Sequence, residues 1–82
     1  MSTEPGMTIE DIVFRLVEDM LGVRKVTLES TLIDDLGADE LDLTELTLAL
    51  EERLDVRIPD YVMEQFRTVG DIVDFVQSHT GE

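Results

Sequence analysis

The sequence predicts an all-α domain: a small four-helix bundle, three main helices plus one short helix, with a long loop between the first two. Three observations point there. Apolar residues recur at helical spacing in separate stretches, each preceded by a residue able to cap a helix. No segment alternates polar and apolar residues as a half-buried strand would. The chain has 82 residues, no cysteine and 43% hydrophobic residues, so one domain must fold on apolar burial alone.

Residues 1–7 are read as a flexible N-terminal arm, because Ser2, Thr3, Pro5 and Gly6 carry no period. The helical domain is expected over 8–79, with 80–82 as a C-terminal tail. Thr8 is a candidate N-cap, with Asp11 three positions on to complete a capping box. Ile9, Ile12, Val13, Leu16, Val17, Met20 and Leu21 then form one apolar stripe. Gly22 stands where a helix end favours positive φ.

From Val23 to Ala38 the apolar residues lose any steady period but stay too frequent for a free linker. A loop that packs over the helices is expected, with a helical turn near Ser30 to Asp35. Asp39 is the N-cap of a second helix running to about Leu54, and Glu40, Asp42 and Glu45 place negative charge where the helix dipole favours it. Ile58-Pro59 breaks the pattern. Asp60 is expected to cap a short helix through Phe66, and Thr68 with Asp71 a last helix carrying Val69, Ile72, Val73 and Val76.

Charge excludes several functions. Six Lys and Arg against twenty Asp and Glu give a net charge of −14. Such a surface repels nucleic acid and anionic membranes and favours fast, salt-sensitive association with basic proteins. Met1 to Met7 has neither a basic residue nor an apolar run, and no apolar stretch approaches a bilayer span, so a cytoplasmic monomer is expected. The lone His79 suits a helix C-terminus better than catalysis. Asp34-Asp35-Leu36-Gly37 lacks the ligand spacing of a calcium loop, so no metal site is expected. Nothing here reads as an enzyme.

Laid out at 100° per residue, the second helix puts Leu43, Leu46, Leu50 and Leu54 in one sector and Leu41 and Leu48 on the opposite side. Glu45 and Glu52 lie beside the second pair, with Glu40, Thr44 and Glu51 on one flank. A helix buried on one face has no structural need for leucines on the other. Between Val26 and Glu52 there are nine acids and no Lys or Arg, so the face lacks the mixed signs of an ordinary solvated helix. Leucines ringed by carboxylates suit docking, the leucines supplying desolvation and the acids steering.

The run Asp34-Asp35-Leu36-Gly37-Ala38-Asp39-Glu40-Leu41-Asp42, continued by Glu45-Leu46 and Ala49-Leu50-Glu51-Glu52, resembles the signature of acyl carrier proteins. The resemblance extends from about Thr8 to His79 and includes Ile58-Pro59-Asp60 and Thr68-Val69-Gly70-Asp71-Ile72. It implies a four-helix bundle that docks through its second helix onto basic patches of acyl-transfer or acyl-chain-processing enzymes. Asp34, Asp35, Asp39, Leu41, Thr44, Glu45, Leu48, Glu51 and Glu52 are the partner-binding residues expected on this basis.

One position departs from the family. Its motif reads Asp-Ser-Leu, and the serine carries 4′-phosphopantetheine; here the triplet is Asp39-Glu40-Leu41. A carboxylate cannot supply the hydroxyl that the modification needs, so no cofactor is expected at Glu40. Three explanations stand at this point: an arm-less, carrier-like docking or regulatory subunit; a carrier modified at Thr44, Ser30 or Thr31; or an engineered replacement of the serine. Thr44 and Thr47, where the family tends to be apolar, point to divergence.

The concentrated charge generates a first prediction. Added sodium chloride, by screening self-repulsion, raises the thermal midpoint of unfolding. A melting temperature that is indifferent to salt would contradict it.

Overall fold

The computed structural model describes residues 8–80. Within them lie α1 (Ile9–Leu21), α2 (Glu40–Leu54), α3 (Asp60–Met63) and α4 (Val69–Thr80). The expected arm over residues 1–7 lies outside the described residues, and α4 reaches one residue into the expected tail. No helix among the described residues is long and apolar enough to cross a membrane.

Local chemistry sets the ends of the main helices. Thr8 accepts a hydrogen bond from the Asp11 N–H at 3.1 Å, and the Asp11 carboxylate accepts one from the Thr8 N–H at 3.3 Å. The pair occupies two donors that the first turn of a helix leaves without partners. Gly22 closes α1 in the left-handed conformation, φ 68°, and its N–H returns to the Glu18 carbonyl. Thr68 and Asp71 repeat the same box at the start of α4, and Asp71 also accepts from the Arg67 N–H.

The core is built from the apolar faces of α1, α2 and α4. Val13 and Val17 from α1, Leu46 and Leu50 from α2, and Ile72, Val73 and Val76 from α4 are all buried. Each such side chain contributes about 1.5–3 kcal/mol of transfer free energy. Met20, expected in the α1 stripe, lies at its edge and is 37% exposed. Phe66 meets Phe75 edge-to-face, with ring centroids 5.9 Å apart.

The loop over residues 22–39 is fixed by the start of α4. The Leu32 N–H donates to the Arg67 carbonyl at 2.8 Å, the Val69 N–H to Ser30 at 3.0 Å, and the Gly70 N–H to Leu28 at 2.8 Å. Thr31 and Thr68 thereby form an isolated antiparallel bridge, a strand-like contact absent from the sequence expectation. Val26, Leu32 and Ala38 enter the core, as a loop packed over the helices should, whereas Leu28 and Ile33 stay exposed. A helical turn follows Thr31, whose hydroxyl accepts from the Asp35 N–H while the Asp35 carboxylate accepts from the Thr31 N–H, both at 2.9 Å. Ala38 then donates to the Leu32 carbonyl at 2.9 Å and delivers the chain to Asp39.

α3 is shorter than expected and begins differently. Pro59, not Asp60, holds the N-cap position, and its carbonyl accepts from Val62 and Met63. Beyond Met63 the bonds tighten to Gln65-to-Val62 and Phe66-to-Met63, so regular helix stops while turns carry on to Phe66.

The loop contact yields a second prediction. A Cβ placed on Gly70 would lie 2.9 Å from the Leu28 carbonyl oxygen, a backbone atom that cannot swing aside. Gly70→Ala is expected to destabilise the domain by about 1–3 kcal/mol, read by denaturant unfolding. Wild-type stability would show that the loop is not held against α4.

Candidate functional site

α2 separates two kinds of leucine. Leu46 and Leu50 are 1% and 0% exposed, with Leu43 and Leu54 packed against the same core. Leu41 and Leu48 are 66% and 55% exposed. The helical wheel drawn from the sequence is therefore the arrangement found. Asp39, Glu40, Glu45 and Glu52 are exposed around the outer pair, and Asp34 and Asp35 are exposed in the loop that leads into the helix.

The first turn is well defined. The Asp39 carboxylate accepts from the Asp42 N–H at 2.9 Å, and the Asp42 carboxylate from the Asp39 N–H at 3.1 Å. The sequence identified Asp39 as a cap; the reciprocal role of Asp42 adds to it. Glu40 is the first helical residue, its side chain projecting from the positive end of the helix dipole.

Not every candidate residue projects outward. Glu51 is half-buried, and its Oε2 accepts from the Ile58 N–H at 2.7 Å. Its carboxylate is thus engaged within the fold rather than offered freely beside Glu52. Asp35 likewise spends one oxygen on Thr31. Sequence spacing could not separate these acids from Glu45 and Glu52, because their partners lie off the helix.

The hydroxyl groups also divide. Thr44 is exposed, and its Oγ1 donates to the Glu40 carbonyl at 3.0 Å. Thr47 is buried, 8% exposed, and donates to the Leu43 carbonyl at 2.6 Å. Its burial went unrecognised in the sequence, although position 47 falls within the same sector as Leu43 and Leu50. Thr31 is half-buried and engaged with Asp35, and the Ser30 hydroxyl meets Thr27 at 3.2 Å. Of these four, Thr44 combines exposure with a place beside Glu40.

The rest of the surface offers little competing chemistry. Among the described residues no three His, Cys, Asp or Glu side chains converge as metal ligands would. His79 stacks on Phe75 at 4.0 Å between ring centroids and contacts the Phe75 carbonyl, a role within the last turns of α4. Ile33 and Tyr61 are also large and exposed, and Ile33 lines a groove with Phe66 and Arg67 that includes no residue of α2.

Comparison with known proteins agrees on one class. The family model described as the phosphopantetheine attachment site matches residues 11–76. An acyl carrier protein of Clostridium perfringens strain 13 is 52% identical over 67 residues, covering 79% of this chain and 88% of its own. One from Clostridium acetobutylicum is 45% identical over 69 residues, covering 82% and 90%. Among solved structures, a candidate acyl carrier protein from Mycobacterium tuberculosis superposes with a TM-score of 0.78 at 31% identity, over 82% of this chain and 92% of its own. An apo doublet acyl carrier protein from prodigiosin biosynthesis shares the fold at a TM-score of 0.76 and 22% identity, over 96% and 39%.

The cap of α2 gives a third prediction. Asp39→Ala removes the acceptor for the Asp42 N–H and should cost about 1 kcal/mol, seen as a lower unfolding midpoint. Asp39→Asn, which keeps an acceptor oxygen, should retain most of the stability. Equal loss in both would show that the bond is not what holds the helix start.

Proposed function

Because the chain belongs to the acyl carrier protein family, carriers rather than enzymes whose cofactor is 4′-phosphopantetheine, we propose that it is a docking module that engages acyl-processing enzymes without bearing the cofactor at residue 40. The observation that carries this is the exposed pair Leu41 and Leu48 on a helix whose other face packs against the core. A partner with basic residues around an apolar patch would meet the acids first and then bury the leucines. Glu45 and Glu52 flank the pair, and Asp34, Asp35 and Asp39 extend the negative field toward the helix start. The role proposed is in fatty-acid synthesis or a related acyl-chain pathway, in keeping with relatives named acyl carrier proteins, for a monomer acting in the cytoplasm.

Residue 40 does not fit the family cofactor. A phosphodiester to phosphopantetheine needs a side-chain hydroxyl, and Glu40 offers a carboxylate. It places one negative charge at the helix start, where a modified carrier would hold its phosphodiester. The module would then imitate part of the charge of a loaded carrier while holding no thiol. Such a protein could occupy carrier sites as a regulatory or structural subunit.

Intact mass measurement after incubation with coenzyme A, Mg²⁺ and a broad-specificity phosphopantetheinyl transferase tests this. The wild type is expected to keep its mass, and Glu40→Ser to gain one phosphopantetheine. Adding Leu48→Lys to Glu40→Ser should slow that gain. A gain by the wild type would overturn the arm-less reading and direct attention to Thr44, or to Ser30 and Thr31. An unmodified Glu40→Ser would count against the docking surface itself.

A further inference from the structure

We propose that the Glu40 carboxylate selects among the enzymes that the docking face can reach: it favours those that receive a phosphopantetheine-loaded carrier and disfavours the transferase that loads an empty one. The inference rests on the docking proposed above and adds the class of partner. Three acids stand at the start of α2, and they are not equivalent. The Asp39 and Asp42 carboxylates cap each other's backbone N–H groups, at 2.9 and 3.1 Å. The Glu40 side chain takes no part in that box. It is exposed, and among the described residues its carboxylate accepts no hydrogen bond. Residue 40 is held through its backbone, whose carbonyl accepts from Thr44 Oγ1 at 3.0 Å. A charge is thus presented on a fixed turn, next to exposed Leu41, and left unspent.

Covalent geometry sets what this charge resembles. In a serine phosphodiester the phosphorus stands as many bonds from Cβ as the carboxylate carbon of Glu40 does. Each centre spreads negative charge over two unesterified oxygens. An enzyme that receives a loaded carrier has to accept that charge at the helix start, which cationic side chains and N–H donors do best. Glu40 satisfies the same groups, whereas an unmodified serine hydroxyl leaves them without an anion.

The loading enzyme has the opposite need. There the acceptor oxygen must approach the pyrophosphate of coenzyme A, and a carboxylate in its place meets another anion at close range. The charge of Mg²⁺ is already balanced by the pyrophosphate, so the repulsion is not removed. A chain with this preference competes with loaded carriers for acyl-transfer enzymes and leaves the loading of other carriers undisturbed.

Binding constants for the wild type, Glu40→Gln and Glu40→Ala test this, since neither variant offers a hydroxyl to modify. One probe is an acyl-transfer enzyme that binds a phosphopantetheine-loaded carrier protein. The other is a phosphopantetheinyl transferase holding coenzyme A and Mg²⁺. Glu40→Gln keeps the length of the side chain, and both variants leave the Asp39 and Asp42 cap in place. The wild type is expected to bind the acyl-transfer enzyme about tenfold tighter than either variant, the order of one charge-assisted hydrogen bond. It is expected to bind the transferase more weakly than both. Equal binding by all three at either enzyme, or a wild-type preference for the transferase, would overturn the inference while leaving the docking face in place. Absence of binding to both enzymes, in wild type and variants alike, would remove the docking reading and this inference with it.

Discussion

The structure depends on the contact between the loop at residues 28–32 and the start of α4 at residues 67–70. Three backbone hydrogen bonds cross it, and they fix a long connection that has no helix of its own. Leu32 is seated in the core by this contact, and Ala38 is tied back to Leu32. Asp39 follows directly, so the place where α2 begins is set by a contact made far from it in sequence. Without that anchor the acidic loop and the first turn of α2 would share no fixed geometry. With it, Asp34, Asp35, Asp39 and Glu40 lead into one helix as a continuous negative surface.

α2 then divides its residues between holding the fold and facing outward. Leu46, Thr47 and Leu50 hold it to the core, and Glu51 ties it to the entry of α3. Leu41, Glu45, Leu48 and Glu52 are left to the surface. An exposed leucine alone means little, since much of any protein surface is apolar. Two leucines about two helical turns apart, flanked by acids, are harder to explain by solubility. On the proposed reading, the helix start that would receive a cofactor in the family presents the Glu40 carboxylate instead, which would separate recognition from cargo within a single turn.

Features with local causes were legible in the sequence. Thr8 and Thr68 each sit three residues before an acid and form the reciprocal cap that this spacing implies, and Asp39 is the N-cap expected, to which Asp42 adds the return bond. Gly22 ends α1 because only a residue at ease with positive φ does so without strain. The two faces of α2 followed from spacing alone. Features with distant causes were not legible. The pairing of Thr31 with Thr68 joins segments that no periodicity links. Glu51 looked like its neighbour Glu52 because its partner is a backbone N–H beyond the helix. α3 ended early because a single turn is decided by what surrounds it, not by propensity.

The proposed role stands or falls with engagement of basic acyl-processing enzymes by the Leu41 and Leu48 face of α2. An NMR titration of the isotopically labelled chain with an enzyme that acts on acyl carrier proteins tests it most directly. Amide perturbations concentrated from Glu40 to Glu52, diminishing as salt is raised, are expected. Perturbations confined to α1 and α4, or none where a modified carrier protein binds the same enzyme, would contradict it.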